Sequence, residues 1–575
     1  MTSSPGATRN VIPRDPLIIA LLVAVGVGLP VLLGVVSGAL SIPHNDDFNY
    51  RRVALGLYQT GQVQLTGWTV MSLIGQLVIV EPALWVSGGA SWAFAAATAI
   101  LAVVAIVAGY QLVRLVLPPP LAMFAALALL FFPGFLLNTT SFMTDVPALA
   151  GEMVCLAFGA RALRRQGSAR WRWLAASLGA GCFAFSIREF ALAAPVAVLL
   201  AAAVEESSRV WRYCLAGVVL LAACGAIHLV TANLPGQGSV TLLADAPISP
   251  FSVERVRRAG ATLALVLTPA LILAAGTWRR HWRIADAAVG MFAGLLVYGA
   301  EIIDMATTLR VPRMLVGNLL EPDGAPGGFG VLAGNRPLLF APPFWDILNA
   351  AAFAAVVGAF AIVGSAIGSA LRRADFLDRE RLGTWLGSPR GLLAIFALLY
   401  GAGLIAFGLV ASMFDRYLWP LVVPVSALLL QQPLVPERAV IRRLGVSFAT
   451  LSMTALAATS LALLLNSDAF GVARWRMGEL AVARGLARDT VDAGMEWVGY
   501  HATGTAEVGA TPSATEMWYD AWWPSFRLCA IVSSSLLDVR GFRLEYADID
   551  AYRLLLFDGP QEGLYLYRVA NPGCH

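Results

Sequence analysis

No lysine occurs among the 575 residues, so all 40 basic side chains are arginine. Any side-chain cation available to a phosphate is therefore a guanidinium, planar and able to bind bidentately. Charge as a whole is scarce, 13% of residues against 58% hydrophobic. That balance excludes a soluble chain of this length and makes the bilayer the solvent for most of it. No G-x-x-x-x-G-K-[ST] loop is present to drive a nucleotide-powered pump, and no H-E-x-x-H zinc motif. The five histidines, His44, His228, His281, His501 and His575, are scattered; only His44 stands near acids that would help it hold a metal. Basic residues serve mainly as flanks of apolar runs, so nucleic acid is not an expected partner. The six cysteines form no C-x-x-C pair. Cys155, Cys182, Cys214 and Cys224 fall in apolar runs, whereas Cys529 and Cys574 are either free or bridged in an oxidising compartment. No internal repeat suggests an inverted-repeat transporter.

Apolar runs able to span a ~30 Å hydrocarbon core are expected near 17–40, 91–116, 121–138, 146–163, 171–187, 190–204, 212–231, 259–277, 284–303, 345–370, 391–412, 417–434 and 444–465, about 13 helices. The arginines concentrate in "ARALRRQGSARWR", "SSRVWR", "WRRHWR", "LRRADFLDRERLGTWLGSPR" and "PERAVIRR". The positive-inside rule then puts the N-terminus in the cytoplasm and the first polar loop, 41–90, outside. An odd number of spans puts the C-terminal region outside as well. The expected organisation is a transmembrane catalytic domain over 1–466 and an extracytoplasmic soluble α/β domain over 467–575. In the latter, "AFGVARWRMGELAVARGLA" has helical spacing and "RLCAIVSSS", "YRLLLFDG" and "GLYLYRV" read as strands. Two further outer loops, 232–258 and 304–344, are long enough for lids or binding loops.

The outer ends of the runs hold the chain's notable polar residues: Asp46 and Asp47, Asp145, Arg188 and Glu189, Arg310 and Arg313, Arg336, and Asp415 and Arg416. Ionisable groups at membrane level are costly unless paired or facing a hydrated cavity. Carboxylates and arginines on one side describe an acid/base site beside an anion site. Each also has a plainer reading. Asp46 and Asp47 can cap the following helix, and Thr144 or Asp145 the Pro-started helix after it. Arg188 with Glu189 and Asp415 with Arg416 can be structural pairs, Tyr417 and Trp419 members of an aromatic belt, and Glu81 a helix-end acid.

The motifs "DDFNYRRVALGLYQTGQ" after the first span, "FMTDVPAL" before a Pro-started helix and "DRYLWPLVVP" at a late outer edge occur in order on one side. In this the chain resembles the polyprenyl-phosphate-sugar-dependent membrane glycosyltransferases of the GT-C fold, particularly the protein O-mannosyltransferase and aminoarabinose transferase group. The resemblance implies an all-α polytopic GT-C membrane protein with a small α/β extracytoplasmic domain. It implies Asp46 as catalytic base, Asp47 beside it, Tyr50 one turn on, Asp145 as a second site carboxylate, and Arg416 and Tyr417 near the donor phosphate. The chain departs from the aminoarabinose transferases at Asn49, where those have a basic residue, and at Glu81-Pro82, where their Glu-Lys-Pro-Pro segment is missing.

The expected reaction is transfer of a sugar from a polyprenyl-phosphate donor to a hydroxyl of a cell-envelope glycan, lipid or protein. Catalytic candidates are Asp46, Asp47 and Asp145; substrate-binding candidates are Tyr50, Arg188, Arg310, Arg313, Arg336, Arg416 and Tyr417. A lipid phosphate is a good leaving group, so one base suffices, and arginines stabilise the developing charge. Attack opposite the leaving group inverts the anomeric centre. A divalent cation, Mg²⁺ or Mn²⁺ held by Asp46, Asp47 and Asp145, is an open alternative to arginine. The rival classes are a secondary transporter or flippase of an envelope precursor, and a non-catalytic assembly protein. A multi-pass plasma (inner) membrane location follows under any of them.

Overall fold

In the computed structural model, the structure describes residues 14–238, 250–278, 283–320, 332–333, 339–372, 379–431, 439–506, 522–538, 541–556, 562–570 and 574. Arg336 and most of the "EPDGAPGGFGVLAGNRP" loop lie outside them. The fold is a helical membrane body with a small sheet near its C-terminal end. Among the described residues seven helices are long and apolar enough to cross a membrane: Asp15–Ser37, Trp92–Arg114, Ser207–Ala232, Phe251–Ala275, Pro342–Ser369, Pro389–Val410 and Arg443–Ala483. The pair Ile284–Val297 and Gly299–Thr308, bent by 67°, makes an eighth if counted as one broken span. The remaining runs read as spans fold into helices that are shorter or carry charge, at Pro119–Leu130, Asp145–Ala162, Gly167–Phe185, Ala193–Glu205 and Trp419–Leu429.

These shorter helices form the inner packing of the body. Asp145–Ala162 is buried at nearly every position and lies between Trp92–Arg114 and Gly167–Phe185. Gly151 permits that approach, since a Cβ there would stand 2.7 Å from the Cβ of Ala184. A helix surrounded by protein need not be uniformly apolar, which is how this one accommodates Asp145 and Glu152.

The helix Ala439–Ala483 has 45 residues, about 68 Å at 1.5 Å per residue, roughly twice the hydrocarbon thickness. It runs unbroken through the boundary expected at 466/467, so the C-terminal unit is joined to the body by a rigid element. Its far end packs Phe470, Ala473 and Met477 against Trp497, Val532, Leu564 and Leu566. The sheet order is β1 (Val491–Asp492), β2 (Ala530–Ser533), β4 (Glu562–Val569), β3 (Phe542–Tyr552), with β1 parallel to β2 and the rest antiparallel. "RLCAIVSSS" and "GLYLYRV" supply strands as expected. Of "YRLLLFDG", Tyr552 ends a strand and 553–556 lie outside one, with 557–559 outside the described residues; the third strand is the upstream "FRLEYADIDAY", hidden by its polarity because most of its side chains are exposed.

The C-terminal unit sits on the same side as the first loop. Asn45 N–H donates to Glu496 Oε1 at 3.2 Å, Arg52 Nη1 to the Gly499 carbonyl at 2.8 Å, and Ala506 N–H to the Thr66 carbonyl at 2.6 Å. Cys529 and Cys574 are disulfide-bonded across a sequence separation of 45. Closing a loop of that length is worth about 4 kcal/mol in the chain-entropy account. Replacing both cysteines by serine is therefore expected to lower the unfolding midpoint of the C-terminal unit by several degrees; an unchanged melting curve of the purified protein would contradict this.

Candidate active site

Asn45 adopts φ 57°, a left-handed conformation that asparagine tolerates better than most residues. The turn delivers two adjacent aspartates into different surroundings. Asp47 is fully buried, and its carboxylate is saturated: Oδ1 accepts from His44 N–H at 2.8 Å, and Oδ2 from Arg51 Nη2 at 3.0 Å, Phe142 N–H at 3.1 Å and Ser141 Oγ at 3.3 Å. Burial still pushes its acid up to about 6. Asp47 thus ties the Asp47–Thr60 helix to the loop before Asp145 and is not available as a second catalytic acid. His44 is buried as well. Its Nε2 faces the Ala39 carbonyl at 3.1 Å, and burial lowers its basicity to about 4. Neither Asp46 nor Thr144 makes a capping hydrogen bond from its side chain.

Asp46 keeps a fifth of its side-chain surface and points the other way. Its Oδ2 lies 3.4 Å from Arg416 Nη2, and its Oδ1 accepts from Trp68 Nε1 at 3.1 Å. The same guanidinium reaches Asp145, with Nε 3.3 Å from Oδ2. On its other oxygen Asp145 pairs with Arg188 Nη1, which also reaches Thr144 Oγ1 at 3.2 Å. Arg188 stacks over the Tyr417 ring, 4.4 Å from its centroid, and Arg416 over Phe414 at 4.5 Å. Two carboxylates and two guanidiniums thus alternate as Asp46, Arg416, Asp145, Arg188. Burial raises the Asp46 acid above the ordinary carboxylate range, against the pull of Arg416 and Trp68.

The expected sequence pairs dissolve in this arrangement. Arg188 binds Asp145 while Glu189 accepts from Ser72 Oγ at 2.7 Å. Asp415 is a loop anchor: Oδ2 accepts from Leu319 and Leu320 N–H, both at 2.8 Å, and Oδ1 from Arg416 N–H at 2.7 Å. That anchoring holds the Asp415–Leu418 turn so that Arg416 points inward, 4% exposed. Tyr50 is buried one turn after Asp46, with its hydroxyl on Met71 Sδ at 3.3 Å. Arg310 and Arg313 have exposed side chains and take no part in the cluster. No group of three metal-ligating side chains converges among the described residues.

Two participants escaped sequence reasoning. Trp68 lies in a loop clasped from both sides: Leu65 N–H donates to the Pro235 carbonyl and Gly67 N–H to the Gly236 carbonyl, each at 2.8 Å. Gly67 has φ +82° and faces Ala506, whose carbonyl oxygen would be 2.1 Å from a Cβ. Trp68 stacks on Trp523, at 5.7 Å and 8°, and meets Phe48 and Trp522, so the aromatic run near 522 packs onto the loop that steadies Asp46. Nothing in "LTGWTV" marks that tryptophan. Glu152 lines a small cavity with Asp145, Arg188, Tyr400, Arg416 and Trp419. Its signal was available, since residues seven apart on a helix share a face.

Residues 79–233 match the family profile of dolichyl-phosphate-mannose-protein mannosyltransferases. That segment contains Asp145, Glu152 and Arg188, so the resemblance read from the motifs extends to a stretch of chain that helps to build the cluster. No curated protein matches the sequence. Two solved structures overlap loosely along much of its length. A crystal structure of ArnT from Cupriavidus metallidurans bound to undecaprenyl phosphate is 14% identical, with 98% of this chain and 99% of that chain covered and a TM-score of 0.42. The archaeal oligosaccharyltransferase AglB from Archaeoglobus fulgidus, in complex with an inhibitory peptide and a dolichol-phosphate, is 16% identical, covering 81% and 58%, with a TM-score of 0.40. Overlaps this loose decide nothing about the chemistry.

The division of labour between the neighbouring aspartates is testable. Asp47→Asn removes acceptor capacity from a fully buried pair and is expected to cost about 3 kcal/mol or more of stability. The folded fraction should retain a specific activity well above that of Asp46→Asn. Equal activity losses at equal stability would contradict the assignment.

Proposed function

We propose that the chain transfers a sugar from a polyprenyl-phosphate donor to an acceptor hydroxyl at the outer face of the membrane, with Asp46 as general base. The observation that carries this reading is Arg416 held between Asp46 and Asp145, with Arg188 beyond. It puts one partly accessible carboxylate and two guanidiniums within a few ångströms of each other. The family match over 79–233 supports the substrate class.

In this reading the donor's phosphodiester comes to Arg416 and Arg188, which stabilise the charge that develops as the anomeric bond breaks. Asp46 removes the acceptor proton; its raised pKa makes it a stronger base than an ordinary carboxylate. Asp145 lies between the two arginines, fixing their separation and orientation. Acceptor attack from the face opposite the phosphate inverts the anomeric centre. Sidedness rests on the arginine-rich loops and on a disulfide in the unit that packs against the first loop. The arginines supply the positive charge that a divalent ion would otherwise bring, with Asp46 and Asp145 the residues left to hold one.

The test is release of free polyprenyl phosphate by purified protein in lipid, offered a panel of polyprenyl-phosphate sugars and a crude envelope extract. Asp46→Asn is expected to reduce release about a hundredfold or more, as loss of a general base implies. Equal release by both proteins would remove Asp46 from the mechanism. EDTA is expected to leave the rate within about twofold; abolition, with recovery on added Mg²⁺ or Mn²⁺, would assign the phosphate's counter-charge to a metal.

The pH profile supplies a second check. The base acts only when ionised, so the rate rises with pH through the Asp46 pKa and then levels off. Burial raises that pKa and Arg416 opposes the rise, so Arg416→Met should move the acid limb to still higher pH, beyond its effect on the plateau. A limb unmoved by the substitution would separate the titrating group from Asp46.

A further inference from the structure

The cavity beneath the ion cluster holds three buried polar atoms that the cluster does not use. Glu152 Oε2, Arg416 Nη1 and Trp419 Nε1 have no hydrogen-bond partner among the described residues, and all three residues line this one cavity. Glu152 and Trp419 are 2% and 1% exposed. A single orphan of this kind costs roughly 1–3 kcal/mol and is uncommon in a folded protein. Three around one small space describe a site built for something that enters. Ala148, Leu149, Phe190 and Pro420 add apolar wall beside the Asp145–Arg188 ion pair and the rings of Tyr400 and Tyr417, so a compact polar group is matched.

We propose that this cavity is a recognition subsite for one hydroxyl of the donor's sugar ring, with Glu152 as the specificity-determining residue; the proposal rests on the transferase reading above. The complement is one acceptor, the Glu152 carboxyl oxygen, and two donors, the Arg416 and Trp419 N–H groups. A sugar hydroxyl donates once and accepts twice, which gives each of the three atoms a partner. Continuity with the reaction centre comes from Arg416, whose other nitrogens face Asp46 and Asp145. The cavity is too small for the ring itself, which would stay outside with this one hydroxyl reaching in, and an analogue lacking the hydroxyl would leave three buried groups unpaired. Sites built on such pairing reject the deoxy analogue strongly.

The experiment compares kcat/KM for the best donor of the panel with that for each of its monodeoxy analogues, in the parent, Glu152→Gln and Glu152→Ala proteins, all in lipid. For the parent, one deoxy position is expected to cost at least about a hundredfold. Glu152→Gln keeps an acceptor oxygen and should keep discrimination of about tenfold or more at that position. Glu152→Ala should reduce it to within about threefold. Trp419→Phe, which removes the indole N–H and preserves a large ring, should weaken the same position and serves if Glu152→Ala does not fold. A parent that turns over no lipid-linked sugar defeats the transferase reading. A parent that turns over donors without favouring any hydroxyl, or variants that slow every analogue by one common factor, overturns the subsite and leaves that reading standing.

Discussion

The pairing of charge at membrane depth is the interaction on which the rest depends. Asp46, Asp145, Arg188 and Arg416 come from four distant parts of the chain, and none tolerates burial alone. Alternating signs give the quartet no net charge, so each ion stabilises its neighbours where water is scarce. Its geometry follows from how each member is carried. Asp145 is on a helix enclosed by protein, Arg188 follows a helix end, and Arg416 rests on a turn fixed by three backbone N–H groups bonded to Asp415. Removing an inner member, Arg416 or Asp145, deprives an end member, Asp46 or Arg188, of its ion-pair partner, whereas removing an end member leaves the inner pair in place.

Asp46 is the least enclosed of the four, and its position is maintained from outside the membrane body. Trp68 donates to it from a loop held by the 235–238 segment on one side and by the C-terminal unit on the other. Asn49 bonds Thr66 and Thr69 of the same loop. The C-terminal unit therefore acts on the site through packing and takes its own orientation from a helix that crosses the bilayer. That links the unit to the position of Asp46 through packing alone.

Much of this was legible from residue type and order. Arginine placement and apolar runs describe a polytopic chain, and polar residues at run ends mark Asp46, Asp145, Arg188 and Arg416. Partners were not legible. Adjacent residues such as Arg188 and Glu189 read as a pair, yet side chains next to each other in sequence point apart, and each found its partner across the fold. Asp46 and Asp47 differ for the same reason: a helix start turns successive side chains by about 100°, one toward the cluster and one into the protein. Length and hydropathy alone mark fewer helices than the apolar runs do, because a run enclosed by other helices can be short or charged. Trp68 was invisible because its role depends on a loop conformation set by contacts with residues hundreds of positions away.

The proposed reaction is also balanced in charge, which bears on why a buried site would hold two arginines and two aspartates. The donor phosphodiester adds one negative charge to a neutral quartet. Bond cleavage turns it into a phosphate monoester carrying up to two, which in a low-dielectric setting would be costly. The proton taken by Asp46 removes one negative charge in the same step, so the total within the site stays the same. Protonation also releases Arg416 from Asp46, because a neutral carboxyl no longer holds a guanidinium against a phosphate dianion. The base thus hands its counter-ion to the leaving group at the moment when that group needs it. An arginine shared between base and leaving group couples the two events without a metal or a second acid, and a chain without lysine meets the requirement with the one cation able to bridge two anions through separate nitrogens.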